Sequence, residues 1–120
     1  MEMKTHTPSP AQTVSHELTA EHHAARPLLV GTMTGLAFRV DGWPSFNGSV
    51  NFGYNDGRIH AGSHVFVSAS EIDNAGNRWN GLAPFTVENI VPKEGRVEFR
   101  LNIGWNSPLR VSTDILVINP

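Results

Sequence analysis

A chain of 120 residues with 39% hydrophobic and 17% charged side chains is long enough for one domain with its own core, and for no more. A net charge of -2, with only nine Lys and Arg spread along the chain, excludes the clustered cations that nucleic-acid binding requires. Cysteine is absent, which excludes disulfides, thiolate metal sites and thiol nucleophiles together.

No apolar run approaches the length of a bilayer, so membrane insertion is not expected. The opening Met1-Glu2-Met3-Lys4-Thr5-His6 lacks the charged and apolar regions of a secretory leader. A cytoplasmic location, or export without a leader, is the expectation. Residues 1–27 are rich in Thr, Ser, Pro, His, Ala and Glu, and Pro8 and Pro10 block regular structure early. From Ser15 to Ala25 a short helix is conceivable, capped by Ser15 and with Glu17 near its positive end. With only Val14 and Leu18 to bury, that helix is marginal. The segment reads as a flexible tail, disordered or weakly helical.

From Leu28 the pattern changes to period two. Leu36, Phe38 and Val40 share a face, as do Val50, Phe52 and Tyr54. Val65, Val67 and Ala69 share another, with Phe66 opposite, and Phe85, Val87 and Val91 fall in a fourth run. Arg96 to Ile103 alternates throughout, which predicts a strand with one wet face. Leu109, Val111, Ile115 and Val117 lie on one face of the last run, while Leu116 and Ile118 face the other way. Asn55-Asp56-Gly57, Asp73-Asn74-Ala75-Gly76, Pro92-Lys93-Glu94-Gly95 and Asn106-Ser107-Pro108 read as turns. The expected fold is an all-β antiparallel sandwich of six to seven strands over residues 28–120, with its last three strands in a meander.

Reaction chemistry is scarce. Four of the six histidines, His6, His16, His22 and His23, belong to the tail, and His60 and His64 stand roughly 13 Å apart in an extended chain. No metal site and no cofactor are expected. Asp73-Asn74-Ala75-Gly76-Asn77 lacks the alternating oxygen ligands of a calcium loop and reads as a surface turn. Glu71 and Asp73 could face the same way at a strand end, but nothing else around them suggests an enzyme.

The three tryptophans sit in glycine- and asparagine-rich breaks: Gly42-Trp43-Pro44, Arg78-Trp79-Asn80-Gly81 and Gly104-Trp105-Asn106-Ser107. A flat ring beside an amide suits the apolar face and hydroxyl edge of a sugar. The same ring suits capping the end of a β-core, so both readings stand.

Gly48-Ser49-Val50-Asn51-Phe52, His64 to Ser68 running on to Asp73, Val87-Glu88-Asn89-Ile90, Gly95 and the Trp105 turn resemble, in spacing, the H-type lectins. These are six-stranded sandwiches that bind N-acetylgalactosamine-type sugars as trimers or larger assemblies. The resemblance covers somewhat over half the chain. It departs where Gly62-Ser63-His64 replaces a proline pair, where Asp114, Ile115 and Leu116 replace a tryptophan, and where Asn106 stands in place of a histidine. The run from Phe85 to Val91 also lacks the family's sugar-contacting arginine. The resemblance implies that Trp105 stacks on a sugar and that the chain self-associates.

The expected function is therefore non-catalytic recognition of a glycan or surface ligand. Trp105 would form the plate, Asn106 and Asp73 the hydroxyl partners, and Trp79 with Arg78 the rim. The alternative is a structural or protein-interaction module, an assembly subunit whose tryptophans only cap the core. A homo-oligomer is expected in either case, because both faces of the last run carry apolar side chains.

Overall fold

The computed structural model describes residues 15–19, 25–30 and 33–120. Eight strands follow in order: β1 (Ser15–Thr19), β2 (Ala25–Val30), β3 (Met33–Val40), β4 (Gly48–Asn55), β5 (His64–Glu71), β6 (Phe85–Lys93), β7 (Arg96–Ile103) and β8 (Val111–Asn119). They form two four-stranded sheets, ordered β1-β4-β7-β6 and β2-β3-β8-β5, and no helix occurs among the described residues. The sheets lie face to face over one core, so the chain is an all-β sandwich.

Three expectations need correction. The first concerns the tail, of which residues 1–14 and 20–24 lie outside the described residues. Ser15–Thr19 is a strand, not the start of a helix, and β2 begins at Ala25 rather than Leu28. β1 pairs with β4 from Ser15↔Asn51 to Thr19↔Asn55. That ladder satisfies its backbone better than one short, weakly apolar helix would, and Leu18 packs against the core. The strand count rises to eight for this reason. Second, β1 runs parallel to β4, the one exception to antiparallel pairing among the described strands.

Third, the final three strands are not a meander. β6 and β7 form a hairpin, but β8 pairs with β3 and β5 in the opposite sheet. The segment 104–110 carries the chain across the end of the sandwich. Alternation within a strand tells which side chains share a face and not which of two packed sheets the strand joins, so it could not reveal the crossing.

Elsewhere alternation predicts burial well. Val97, Phe99, Leu101 and Ile103 are buried along β7, and Val50, Phe52 and Tyr54 along β4. Phe52 stacks on Phe99 with ring centroids 5.3 Å apart, and each such fully buried side chain contributes about 1.5–3 kcal/mol. β6 breaks its own alternation. A bulge between Glu88 and Val91, with Asn89 at φ 52°, adds one residue to the strand. Phe85 and Val87 therefore face the core with Ile90, while Val91 is turned to solvent.

The end of the sandwich remote from the tryptophan loops is closed by an ion pair. Asp56, whose side chain is 2% exposed, accepts Arg58 Nε at 2.9 Å, Nη2 at 2.7 Å and the Arg58 backbone amide at 2.9 Å. The Arg58 guanidinium lies 5.3 Å from the centroid of the Phe38 ring. Gly95, at φ 81°, turns the β6–β7 hairpin and donates its amide to Ile59 O at 2.8 Å. The outer face of the β2-β3-β8-β5 sheet carries Phe66, 58% exposed, in register with Leu116, which is in register with Ala37.

Candidate functional site

The three tryptophan-bearing loops, 41–47, 72–84 and 104–110, close the same end of the sandwich. Backbone bonds stitch them together. Phe46 and Leu109 exchange two bonds at 3.1 and 2.9 Å, Ile72 N donates to Arg110 O at 3.1 Å, and Gly104 N donates to Pro84 O at 3.0 Å. Side chains add to this. Asn47 Nδ2 donates to Trp105 O at 3.1 Å, Arg110 Nη1 to Asp73 O at 3.0 Å, and Arg39 Nη2 to Gly76 O at 2.7 Å. Loops held this way present side chains on a fixed frame.

The tryptophans divide between the two readings. Trp43 is buried, its ring 4.6 Å edge-on from Phe52, and its indole Nε1 donates to Thr113 Oγ1 at 2.9 Å. It caps the core. Trp79 and Trp105 are 52% and 41% exposed, far more than core rings require.

The five expected site residues do not form one cluster. Asp73 and Trp79 line one shallow depression with Ser45, Glu71, Pro108 and Arg110. Trp105 and Asn106 line another, over Ile103 and Gly104. Arg78 turns onto the outer sheet face, where its Nη2 donates to both Asp114 carboxylate oxygens at 2.7 and 2.9 Å. Asp73 organises its own loop. Its Oδ1 accepts the Ala75 and Asn77 amides, both at 2.9 Å, and the amides, Asn77's foremost, hold its carboxyl below the usual range. Among the described residues no three His, Asp or Glu side chains converge as a metal site.

Glu71, which the sequence offers only as a possible catalytic partner of Asp73, is absent from the five expected site residues. It ends β5, and it lines both the depression shared with Asp73 and a second one with Ser70, Asn80 and Phe85. Trp79 lines both as well, standing between them, and its amide donates to Glu71 O at 3.2 Å. Gly81 makes room for this arrangement. A Cβ there would collide with Glu71 Oε1 and stand 3.3 Å from Trp79 Cη2. The carboxylate and the ring edge thus flank one bare backbone position. The signal was present in the strand: Glu71 has the same parity as Val65, Val67 and Ala69, so a carboxylate ends a core-facing row.

Chemically, the arrangement offers an open aromatic plate with a hydrogen-bond acceptor at its edge and amides on either side. No protein-family model, curated protein or solved structure matches the chain.

Proposed function

We propose that the protein is a non-catalytic glycan-binding module whose site is centred on Trp79 and Glu71 at the loop end of the sandwich. The observation that carries this is the half-exposed Trp79 ring set beside the Glu71 carboxylate across Gly81. A pyranose has an apolar C–H face and a rim of hydroxyl donors. The ring covers the first, and a carboxylate accepts from two neighbouring hydroxyls of the second. Asn80 lies in one flanking depression, and Asp73 with Arg110 in the other.

Two carboxylates outnumber the one guanidinium, Arg110, whose Nη1 already donates to Asp73 O, and they disfavour an anionic sugar, so the ligand is a neutral one. Asp73 spends its Oδ1 on the amides of its own loop, a structural role that supports binding over hydrolysis. Trp105 and Asn106 form a neighbouring surface rather than the plate of the same depression, a shift from the roles that the lectin resemblance implies.

Shallow depressions bind weakly one at a time, and self-association would raise avidity. The exposed Phe66 beside Leu116 offers a face for this, and it also favours the second reading, a protein-interaction module. Light scattering on wild type and Phe66→Glu measures that directly: a multimer reduced to monomer by the substitution supports assembly through this face.

The glycan reading is tested on an array of neutral and charged glycans, followed by titration of the best ligand. Trp79→Ala and Gly81→Ala each lose at least about tenfold in affinity, the scale of one lost stacking or charged hydrogen-bond contact. A folded wild type that binds nothing on the array refutes the function. Loss in Trp105→Ala with none in Trp79→Ala refutes the site and moves it to the neighbouring loop.

A further inference from the structure

We infer that the glycan is presented on a lipid, and that the loop end rests on the bilayer surface while it holds the sugar. This deepens the glycan reading and rests on it. The observation is Leu82, 88% exposed within the 72–84 loop, one residue beyond Gly81. A sugar stacked on Trp79 has no use for a projecting aliphatic side chain.

Leu82 does not stand alone. The Trp79 ring edge leans on Gly81 at one side of it. At the other side Pro84 O accepts the Gly104 amide, and Pro84 Cγ lies 2.8 Å from where a Gly104 Cβ would be. Gly104 leads directly into the exposed Trp105. Trp79, Leu82 and Trp105 therefore follow one continuous rim built from two loops stitched together. Between the rings the two loops bear no charge: residues 79–87 and 101–109 contain no Asp, Glu, Lys or Arg, and the charge nearest Gly81 is the Glu71 carboxylate.

Those features match a lipid surface of one kind. Indole rings partition to the headgroup level of a bilayer, and an aliphatic tip between them reaches the acyl boundary. A rim with no Lys or Arg cluster, and with the Glu71 carboxylate beside it, has nothing to gain from anionic headgroups, so the surface is zwitterionic. A neutral glycosphingolipid places a sugar immediately above that boundary, at the height where Trp79 and Glu71 would meet it. Contact of this depth is peripheral and needs no membrane-spanning segment.

The experiment measures binding to phosphatidylcholine vesicles carrying a series of neutral glycosphingolipids, and to each headgroup oligosaccharide free in solution. Wild type, Leu82→Asn and Trp79→Ala are compared. Leu82→Asn should bind the free sugars as wild type does and lose about tenfold or more on the vesicles, the scale of one leucine withdrawn from apolar surroundings. Trp79→Ala should lose both. Equal vesicle binding by Leu82→Asn and wild type, with the free sugars still bound, overturns the lipid inference and leaves the glycan reading intact. Binding of phosphatidylcholine alone as strongly as the glycolipid vesicles also overturns it. If no sugar is bound in either form, the glycan reading fails and the inference with it.

Discussion

Asp56→Ala tests whether the closed end of the sandwich depends on its ion pair. The substitution removes an acceptor that takes three hydrogen bonds from Arg58, two from the guanidinium and one from the backbone amide. A hydrogen bond to a buried charge contributes about 1.5–3 kcal/mol, whereas an exposed ion pair contributes under about 1. Asp56 belongs to the first class, but the Arg58 side chain is 47% exposed and can rehydrate when released. The expected loss is therefore about 2–3 kcal/mol at pH 7, below the sum for three buried bonds. Its pH dependence is a sharper check. Burial pushes the Asp56 carboxyl up, but the Arg58 side-chain and backbone hydrogen bonds outweigh it and hold the folded pKa below its usual value. A depressed carboxyl stabilises fully above its unfolded pKa, about 3.9, and that stability is lost as pH falls through the folded pKa. Urea denaturation of wild type and variant from pH 7 downwards reads the gap between them. It should hold from pH 7 to about 5 and close below about 4. A gap under about 1 kcal/mol at pH 7, or one unchanged under acid, refutes the reasoning.

Thr113→Val keeps the shape of a buried side chain but strips the Trp43 indole of its acceptor, and should lower stability by about 1–3 kcal/mol in the same denaturation assay. Acrylamide should quench Trp79 and Trp105 and spare Trp43, so a Trp79→Phe, Trp105→Phe protein should show a single blue-shifted, protected emission. A red, quenchable signal from that variant would contradict the capping role of Trp43.

Legibility in the sequence followed the physics of each element. β7 could be read residue by residue, because a strand with one wet face carries its burial in its alternation. β6 could be read only up to Asn89, since nothing in Val-Glu-Asn-Ile announces the extra residue that reverses the faces beyond it. β1 was invisible: Ser-His-Glu-Leu-Thr has no strand pattern of its own, and only pairing with β4 makes it one. The exposed loop tryptophans were recognisable as a class, while their division into one cap and two open rings depended on how three loops meet. Glu71 was legible only as half of an acidic pair with Asp73, because an acid at a strand end is most often solvated, and only the glycine ten residues on gives it a neighbouring ring.

The parallel attachment of β1 has a consequence for how the molecule breathes. This strand is five residues long and, among the described strands, lies at the edge of its sheet and pairs on one side only, with β4. Beyond that ladder it is held by Leu18 against the core, by the His16 ring edge-on to Phe46 and Phe52, and by Glu17, whose Oε1 meets Arg96 Nη1 at 3.2 Å and accepts Asn55 Nδ2 at 3.4 Å. So short a one-sided ladder belongs at the low end of the range of local unfolding free energies, whereas β7, paired on both sides and buried along alternate residues, belongs near the global limit. Its amides should therefore exchange with solvent before those of any central strand. While β1 is open, β4 becomes the sheet's outer strand, and its newly bared backbone can accept a strand from another molecule.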